Sequence, residues 1–473
     1  MSIPNYKSSM YMRRLDRPPS KVQLISDYIF SIHYLPACSS VLLSCLALGF
    51  GTGWKMPLFI TCLGALATCL AFYVQPLRCF ASLGGSFNAG VREVQGERGV
   101  MQPPVTIVYP TTGGSPRRGI HYIPFGERNY VVGLANYSKV PYVLLKDLLL
   151  MRRKMRPDAE PVSLFLRDGT HRPLIVFSHG LSGYPHLYST FLMDLAARGA
   201  IVFSVTHMDG SAAYCRDAGR EIRIPLNTQV GWATEDREPQ LDIRVRETLN
   251  TVKRVCSGEL LLAMGYDQST VKKFVAMEPQ VHLVGHSFGG ATCLAAALEK
   301  TQETRDRGLS SIASAIVLDP WMVPLRKSMF YSKITNKEQP IHFITPSLQL
   351  FSEEWVRNKE EYSFFEDVKA IVDAQKRTEE EAALVAAANA KLKMTNASWY
   401  MMKEYRGTGH VTCTDVSLFS PVVNRAGYMK ASPRGSIVTF ASEILQFIEK
   451  VSGPLPLDAK LLSDSALASA LRS

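Results

Sequence analysis

No cysteines or histidines in this chain are spaced for zinc, and no aromatic-basic signature of an RNA-binding module is present. The nine cysteines are odd in number and scattered. Four of them (Cys38, Cys45, Cys62, Cys69) lie inside apolar runs and Cys79 just after, so they form no disulfide framework. With 46% hydrophobic and 20% charged residues, the 473-residue chain is neither disordered nor fibrous, and it can bury a full-sized core. Its net charge of +11 fits nucleic acid, an anionic membrane or solubility equally. Without a recognition motif, nucleic acid is not an expected partner. No metal and no cofactor are expected.

Charge is also missing from two stretches, Leu35 to Phe50 and Pro57 to Val74, separated by Gly51-Thr52-Gly53-Trp54-Lys55-Met56. Each is near the lower limit of a membrane-spanning helix, about 17 residues at ~1.5 Å rise. The expectation is a two-helix membrane hairpin over 35–80 after a polar basic segment, 1–34. Lys7, Arg13, Arg14, Arg17 and Lys21 before it and Arg78, Arg92 and Arg98 after it outnumber Lys55 in the turn. By the positive-inside rule this places a multi-pass protein with its main domain in the cytosol. Two alternatives stay open: a signal peptide or signal anchor, and a soluble hairpin under an apolar partner. Asn-x-Ser sites at Asn136 and Asn396 bear on topology, because glycosylation there would put the domain in the lumen.

Residues 81–100, with five glycines, read as a flexible linker. Beyond it strand and helix alternate: strands at Val105–Pro110, Pro173–Ser178, Ala200–Val205, Val281–Val284, Ile312–Leu318 and Pro340–Thr345, helices at Tyr188–Arg198 and Leu241–Cys256. That rhythm predicts an α/β fold with a mostly parallel sheet over 101–452, followed by a tail, 453–473. Residues 353–395, rich in Ala, Glu and Lys, read as inserted helices with a solvated charged face. Val140 to Met155 reads as an apolar helix ending in Arg152, Arg153, Lys154 and Arg156, suited either to an anionic lipid surface or to the core.

The strongest local signal is Val281-His282-Leu283-Val284-Gly285-His286-Ser287-Phe288-Gly289-Gly290. An apolar strand, a G-x-S-x-G turn and a helix from Ala291 make the nucleophile elbow, where glycines either side of a strained serine let strand and helix approach. A serine nucleophile in this setting is followed in chain order by an acid and then a histidine. Only His342 and His410 follow Ser287. His342 sits in a strand-like run, whereas His410 sits in the glycine-loosened Arg406-Gly407-Thr408-Gly409-His410-Val411, so His410 is the expected base. Asp319 directly follows the strand Ala315-Ile316-Val317-Leu318, which makes it the expected acid, with a turn-capping role as the structural alternative. Ser178-His179-Gly180-Leu181 follows an earlier strand in the way an oxyanion loop does. The backbone N–H groups of Leu181 and Phe288 are the expected oxyanion donors.

Four ordered blocks carry a more specific likeness: Pro173 to Leu181, Thr206-His207-Met208-Asp209-Gly210-Ser211-Ala212, Gly285 to Thr292, and Leu318-Asp319-Pro320-Trp321-Met322-Val323-Pro324-Leu325. Over roughly 101–450 the chain resembles the platelet-activating factor acetylhydrolases, the plasma and type II intracellular lipoprotein-associated phospholipases A2. The resemblance implies an α/β-hydrolase fold and a calcium-independent serine esterase. Such an enzyme removes a short or oxidised sn-2 acyl chain from a glycerophospholipid. It also implies Ser287 as nucleophile, Asp319 as acid, His410 as base, and Leu181 and Phe288 as oxyanion donors. The 353–395 insertion and the His207-Met208-Asp209 variant depart from the family pattern, as does the hairpin, so location and acyl preference do not carry over. The same triad would serve a neutral lipid or carboxyl esterase or an acyl transferase; a hydrolase scaffold acting only as a tether is the non-enzymatic reading.

Overall fold

The computed structural model describes residues 33–74, 77–217, 219, 221–307, 311–326, 328–336, 345–374, 379, 382–383, 386, 400–419 and 429–452. The polar segment 1–32, His342, Asn396, the tail from 453 and most of the insertion beyond 374 lie outside these residues.

A nine-stranded sheet organises the molecule. In chain order its strands are β1 (Asn88–Val94), β2 (Val105–Thr111), β3 (Met155–Pro157), β4 (Leu174–Ser178), β5 (Ile201–Val205), β6 (Val281–His286), β7 (Ile312–Leu318), β8 (Ser347–Ser352) and β9 (Tyr400–Tyr405). In space they run β9-β8-β7-β6-β4-β5-β2-β1-β3. β2 pairs antiparallel with β1 and with β5, and every other neighbouring pair is parallel. The central strands read as continuous apolar runs because both faces are covered. Successive residues of β4 separate by face: Leu174 and Val176 join the core beneath α5 (Thr234–Cys256) and α6 (Phe288–Arg307). Ile175 and Phe177 join the core beneath α4 (Ser189–Ala197) and α9 (Pro433–Ser452).

Three expectations need correction. Residues 81–100 are not a free linker, because they hold β1, whose Gly90 lies so close to the Tyr109 ring that a Cβ would come within 2.5 Å of it. Val140 to Met155, which follows α3 (Arg128–Ser138), is not one helix. A turn at Tyr142–Leu145 and a 3₁₀ turn at Lys146–Leu149 lead into short strands. Leu148, Leu149 and Met151 turn into the core and Arg153 follows them inside, which breaks the basic cluster. α5 begins at Thr234, seven residues before Leu241, because Asp236 accepts from the N–H of Ala233 and holds the first turn ahead of Pro239. The strand expected at Pro340–Thr345 lies outside the described residues except Thr345; the parallel strand is β8, whose polar Ser347, Gln349 and Ser352 are buried.

The insertion starts with α7 (Glu353–Arg357) and α8 (Lys359–Ala374). α8 is not simply a solvated face: Phe365, Val368 and Val372 pack into the core, and buried Glu361 accepts from the N–H of Met322 at 2.8 Å.

Ahead of the sheet, α1 (Leu35–Gly49) packs along α2 (Lys55–Val74). Ser44 bonds to Thr61 at 3.0 Å, and Gly64 approaches Ser40 so closely that a Cβ would meet its hydroxyl. Among the described residues, only α2 is long and apolar enough to cross a membrane. α1, with 15 residues, is about 22 Å long and falls short of the ~30 Å hydrocarbon core.

Candidate active site

The expected triad and oxyanion residues, Leu181, Ser287, Phe288, Asp319 and His410, lie just past the carboxyl ends of strands among five adjacent parallel ones, where open α/β sheets bind ligands. Between β6 and α6, Ser287 takes a φ of 57°, in the left-handed region that costs an ordinary residue about 1–3 kcal/mol. The turn is held from both sides. The N–H of Ser287 donates to the carbonyl of Leu318, and its carbonyl accepts from the N–H of Trp321, each at 2.9 Å. Only glycine fits beside it: a Cβ on Gly285 would lie 2.1 Å from the Gly289 carbonyl oxygen, and one on Gly289 would lie 2.0 Å from that of Ser178.

Asp319, just past β7, also has a positive φ, 42°. Its carboxylate accepts from the N–H of Ser352 at 2.7 Å and from the Ser352 hydroxyl at 2.6 Å, and it meets His410 Nδ1 at 3.3 Å. It is therefore not capping its own turn. The structure brings Asp319 and His410 together directly. The parallel pairing of His286 with Leu318 sets Ser287 beside them.

α7 builds the surroundings of His410. Ser352 caps the helix by accepting from the N–H of Trp355. The Trp355 indole stacks on the imidazole with centroids 4.1 Å apart and planes at 14°. Glu354 accepts from the N–H of His410 at 2.8 Å, and Glu353 accepts from that of Gly407 at 2.6 Å.

The loop after β4 packs against the nucleophile: a Cβ on Gly180 would lie 3.1 Å from that of Ser287. Ser182, with φ of 56°, donates its N–H to the carbonyl of Ser211 at 2.7 Å. Neither Leu181 nor Phe288 gives its N–H to an intramolecular acceptor among the described residues, and Phe288 opens α6, whose N-terminus favours negative charge.

His286 joins the two loops. Its Nε2 bonds the carbonyl of His410 at 2.8 Å and its Nδ1 bonds the Tyr188 hydroxyl at 2.9 Å, while that hydroxyl accepts from the N–H of Gly180 at 3.0 Å. Burial holds His286 neutral, with its pKa well below the usual histidine range, and one tautomer then satisfies the whole chain of bonds.

Beneath the oxyanion loop, buried Arg244 donates to the carbonyl of His179 at 2.8 Å and to Asp209 and Ser211, with its guanidinium 4.2 Å from the Phe288 ring centroid. His207 lies between Ser178 and Glu247, each at 2.8 Å. Burial drives His179 and His207 down and Glu247 up, so all three favour their neutral forms. Sequence reasoning missed Tyr188, Arg244, Glu247, Ser352, Glu354 and Trp355. One signal was present for two of them: Arg237, Gln240, Arg244, Glu247 and Thr251 form a polar stripe at helical spacing on the buried face of α5.

A family model described as platelet-activating factor acetylhydrolase, isoform II, matches residues 75–438. The platelet-activating factor acetylhydrolase of Canis lupus familiaris is 32% identical over 255 residues, which is 50% of this chain and 54% of that protein. The protein of the same name from Bos taurus is 28% identical over 295 residues, 57% of this chain and 62% of that one. The chain thus spans little more than half the length of these curated relatives. A solved structure, a ferulic acid esterase from Streptomyces cinnamoneus, has a TM-score of 0.49 at 17% identity and covers 83% of this chain and 98% of its own.

Proposed function

The chain belongs to the platelet-activating factor acetylhydrolase, isoform II family, and from that premise we propose that it is a serine esterase of α/β-hydrolase fold. Its substrates in this reading are short or oxidised sn-2 acyl esters of glycerophospholipids. The observation that carries the reading is the strand-end constellation: a serine at a strained elbow beside a carboxylate that Ser352 orients toward His410.

In the first half-reaction the Ser287 hydroxyl loses its proton to His410 Nε2 while Oγ attacks the ester carbonyl carbon. Asp319 holds the Nδ1–H tautomer and stabilises the imidazolium. The N–H groups of Leu181 and Phe288 face the developing oxyanion, which such donors stabilise by about 3–4 kcal/mol each. Collapse expels the lysophospholipid, which takes the proton from His410. Water then repeats the cycle on the acyl-enzyme and the carboxylic acid leaves.

An apolar path supports a lipid substrate. Phe288, Trp321, Trp232 and Tyr137 follow one another with ring centroids 5.3, 5.7 and 6.4 Å apart, and the path emerges at exposed Trp232 and Tyr137. Exposed Val143 and Leu144, from the segment near 140–155, extend the apolar surface. The membrane is the second partner in this proposal. α1 and α2 insert as a hairpin that exposes Leu42, Leu43, Leu58, Phe59, Leu63 and Leu66, with the catalytic domain on the cytosolic side as the flanking charges suggest. Domain limits follow: the hairpin to residue 80, the catalytic domain from β1 to α9, and the insertion from 353 to 395 within it.

The test is a hydrolysis panel on the full chain in vesicles: an sn-2 acetyl phospholipid, a triacylglycerol and a simple carboxyl ester. Preference for the acetyl phospholipid, lost in Ser287→Ala together with fluorophosphonate labelling, supports the reading. Triacylglycerol preference, or hydrolysis retained in Ser287→Ala, overturns it.

A further inference from the structure

The base of the site has an aromatic floor that the triad does not explain. Trp355 is pinned in three ways: its N–H donates to the Ser352 hydroxyl at 3.2 Å, its Nε1–H donates to the Pro320 carbonyl at 3.1 Å, and its ring stacks on that of His410, centroids 4.1 Å apart. Both anchors are tied to Asp319, since Ser352 bonds its carboxylate and Pro320 follows it in sequence. The stack is therefore fixed relative to the Asp319–His410 bond.

The groups that face His410 differ in what they offer a positive imidazole. Asp319 bonds Nδ1, and Glu354 takes the backbone N–H. Glu353 lies a turn away, within reach of Arg357, Arg406 and Lys430. The His286 ring, 4.6 Å off and tilted by 37°, is held neutral by burial. Trp355 alone presents a π face in parallel contact, and indole is the best ring for a stacked cation.

We propose that Trp355 is a positioning residue for the base: its indole face keeps the His410 imidazole in the plane that joins Asp319 to Ser287 and stabilises the imidazolium. This rests on the esterase reading above. In that step the Ser287 O–H bond breaks, its proton goes to Nε2 of His410, and the freed electron pair forms the bond to the ester carbon. The positive charge then sits on a ring that already lies on the indole.

The experiment compares the wild-type full chain with Trp355→Leu and Trp355→Phe, using kcat and KM for an acetyl ester from about pH 5 to 9. Trp355→Leu loses about tenfold in kcat with little change in KM. The acid limb of its kcat/KM profile moves to lower pH, because an imidazolium without its aromatic face gives up the proton more readily. Trp355→Phe keeps the limb in place and recovers most of kcat. An unmoved limb in Trp355→Leu, or equal losses in both variants, overturns the proposal. Should Trp355→Leu fail to label stoichiometrically with a fluorophosphonate, Trp355→Phe and Trp355→Tyr decide: wild-type limbs support the stack, and displaced limbs in both refute it. A wild-type protein that neither labels nor hydrolyses an acetyl ester would instead refute the esterase reading.

Discussion

α2 and α6 are each 20 residues long and both carry apolar runs, yet they end in opposite surroundings. The first turns of α6 bury Phe288, Ala291, Cys293, Leu294 and Leu298 between sheet and α5. Along α2, Leu58, Phe59, Leu63, Leu66, Leu70 and Tyr73 stay exposed, Leu66 at 67%. Apolar composition promises burial without saying in what. α6 follows a strand and lies on the sheet, so the protein itself covers it. α2 meets α1 through small residues and meets Tyr34 at Phe72, and among the described residues nothing covers the exposed side chains just named.

The sharpest way to test this contrast is at the helix start. Ser287→Ala should lower turnover by about 10⁵–10⁶-fold with no loss of membrane retention, measured by hydrolysis and by carbonate extraction side by side. Loss of retention would mean that the two helices are coupled. Next in size, Leu294→Ala in α6 should cost about 2–5 kcal/mol in thermal or denaturant unfolding, whereas Leu66→Ala in α2 leaves the same transition in place. Equal costs would show that α2 is a core helix after all. A charge midway along α2 comes third. Leu66→Arg should cost about 2.5–3.5 kcal/mol of insertion and raise the carbonate-extractable fraction, with ester hydrolysis in detergent unchanged.

The smallest effect concerns pH within the buried half. Burial pushes Asp415 up to about 7, against an ordinary value near 3.8, while it accepts from the N–H of Thr190 at the start of α4. Arg153 faces it, itself lowered to about 10 by burial, with Tyr122 and Tyr184 alongside. Because the folded pKa is raised, this group's contribution is fully present below about pH 4 and fades as pH rises through 7. His186 runs the other way. Burial lowers it to about 4, so its contribution is present above 6.5 and fades as pH falls toward 4. From pH 6 to 8 the stability difference between wild type and Asp415→Asn should therefore shift in the variant's favour by about 1–2 kcal/mol, read from the two melting curves. A difference that stays constant with pH would remove Asp415 from the titration.

Much of the site was legible because its parts are local. The elbow needs glycines at fixed offsets from a serine, and Gly285 and Gly289 are where a side chain would strike backbone oxygen. Asp319 could be picked out because a proline ends its strand, and His410 because few histidines follow the serine. β8 was not legible: Ser347, Gln349 and Ser352 look like loop residues, and only their neighbours β7 and β9 make them a buried strand. β1 was hidden in a glycine-rich stretch whose Gly90 admits the Tyr109 ring rather than loosening the chain. α7 was read as solvated charge because nothing in Glu353-Glu354-Trp355 announces that it will meet a loop more than fifty residues away.

The alternation of strand and helix, the glycine-flanked serine, the chain order of Asp319 and His410, and the two uncharged runs near the N-terminus are all local features of the amino-acid order. Each depends on residues within a few positions of one another, where backbone sterics and periodicity act. Tertiary structure alone decided what orients Asp319, what lies on His410, and which face of α5 hides its charges. These are contacts across the sheet, and their free energy depends on burial and alignment that no short stretch of sequence contains.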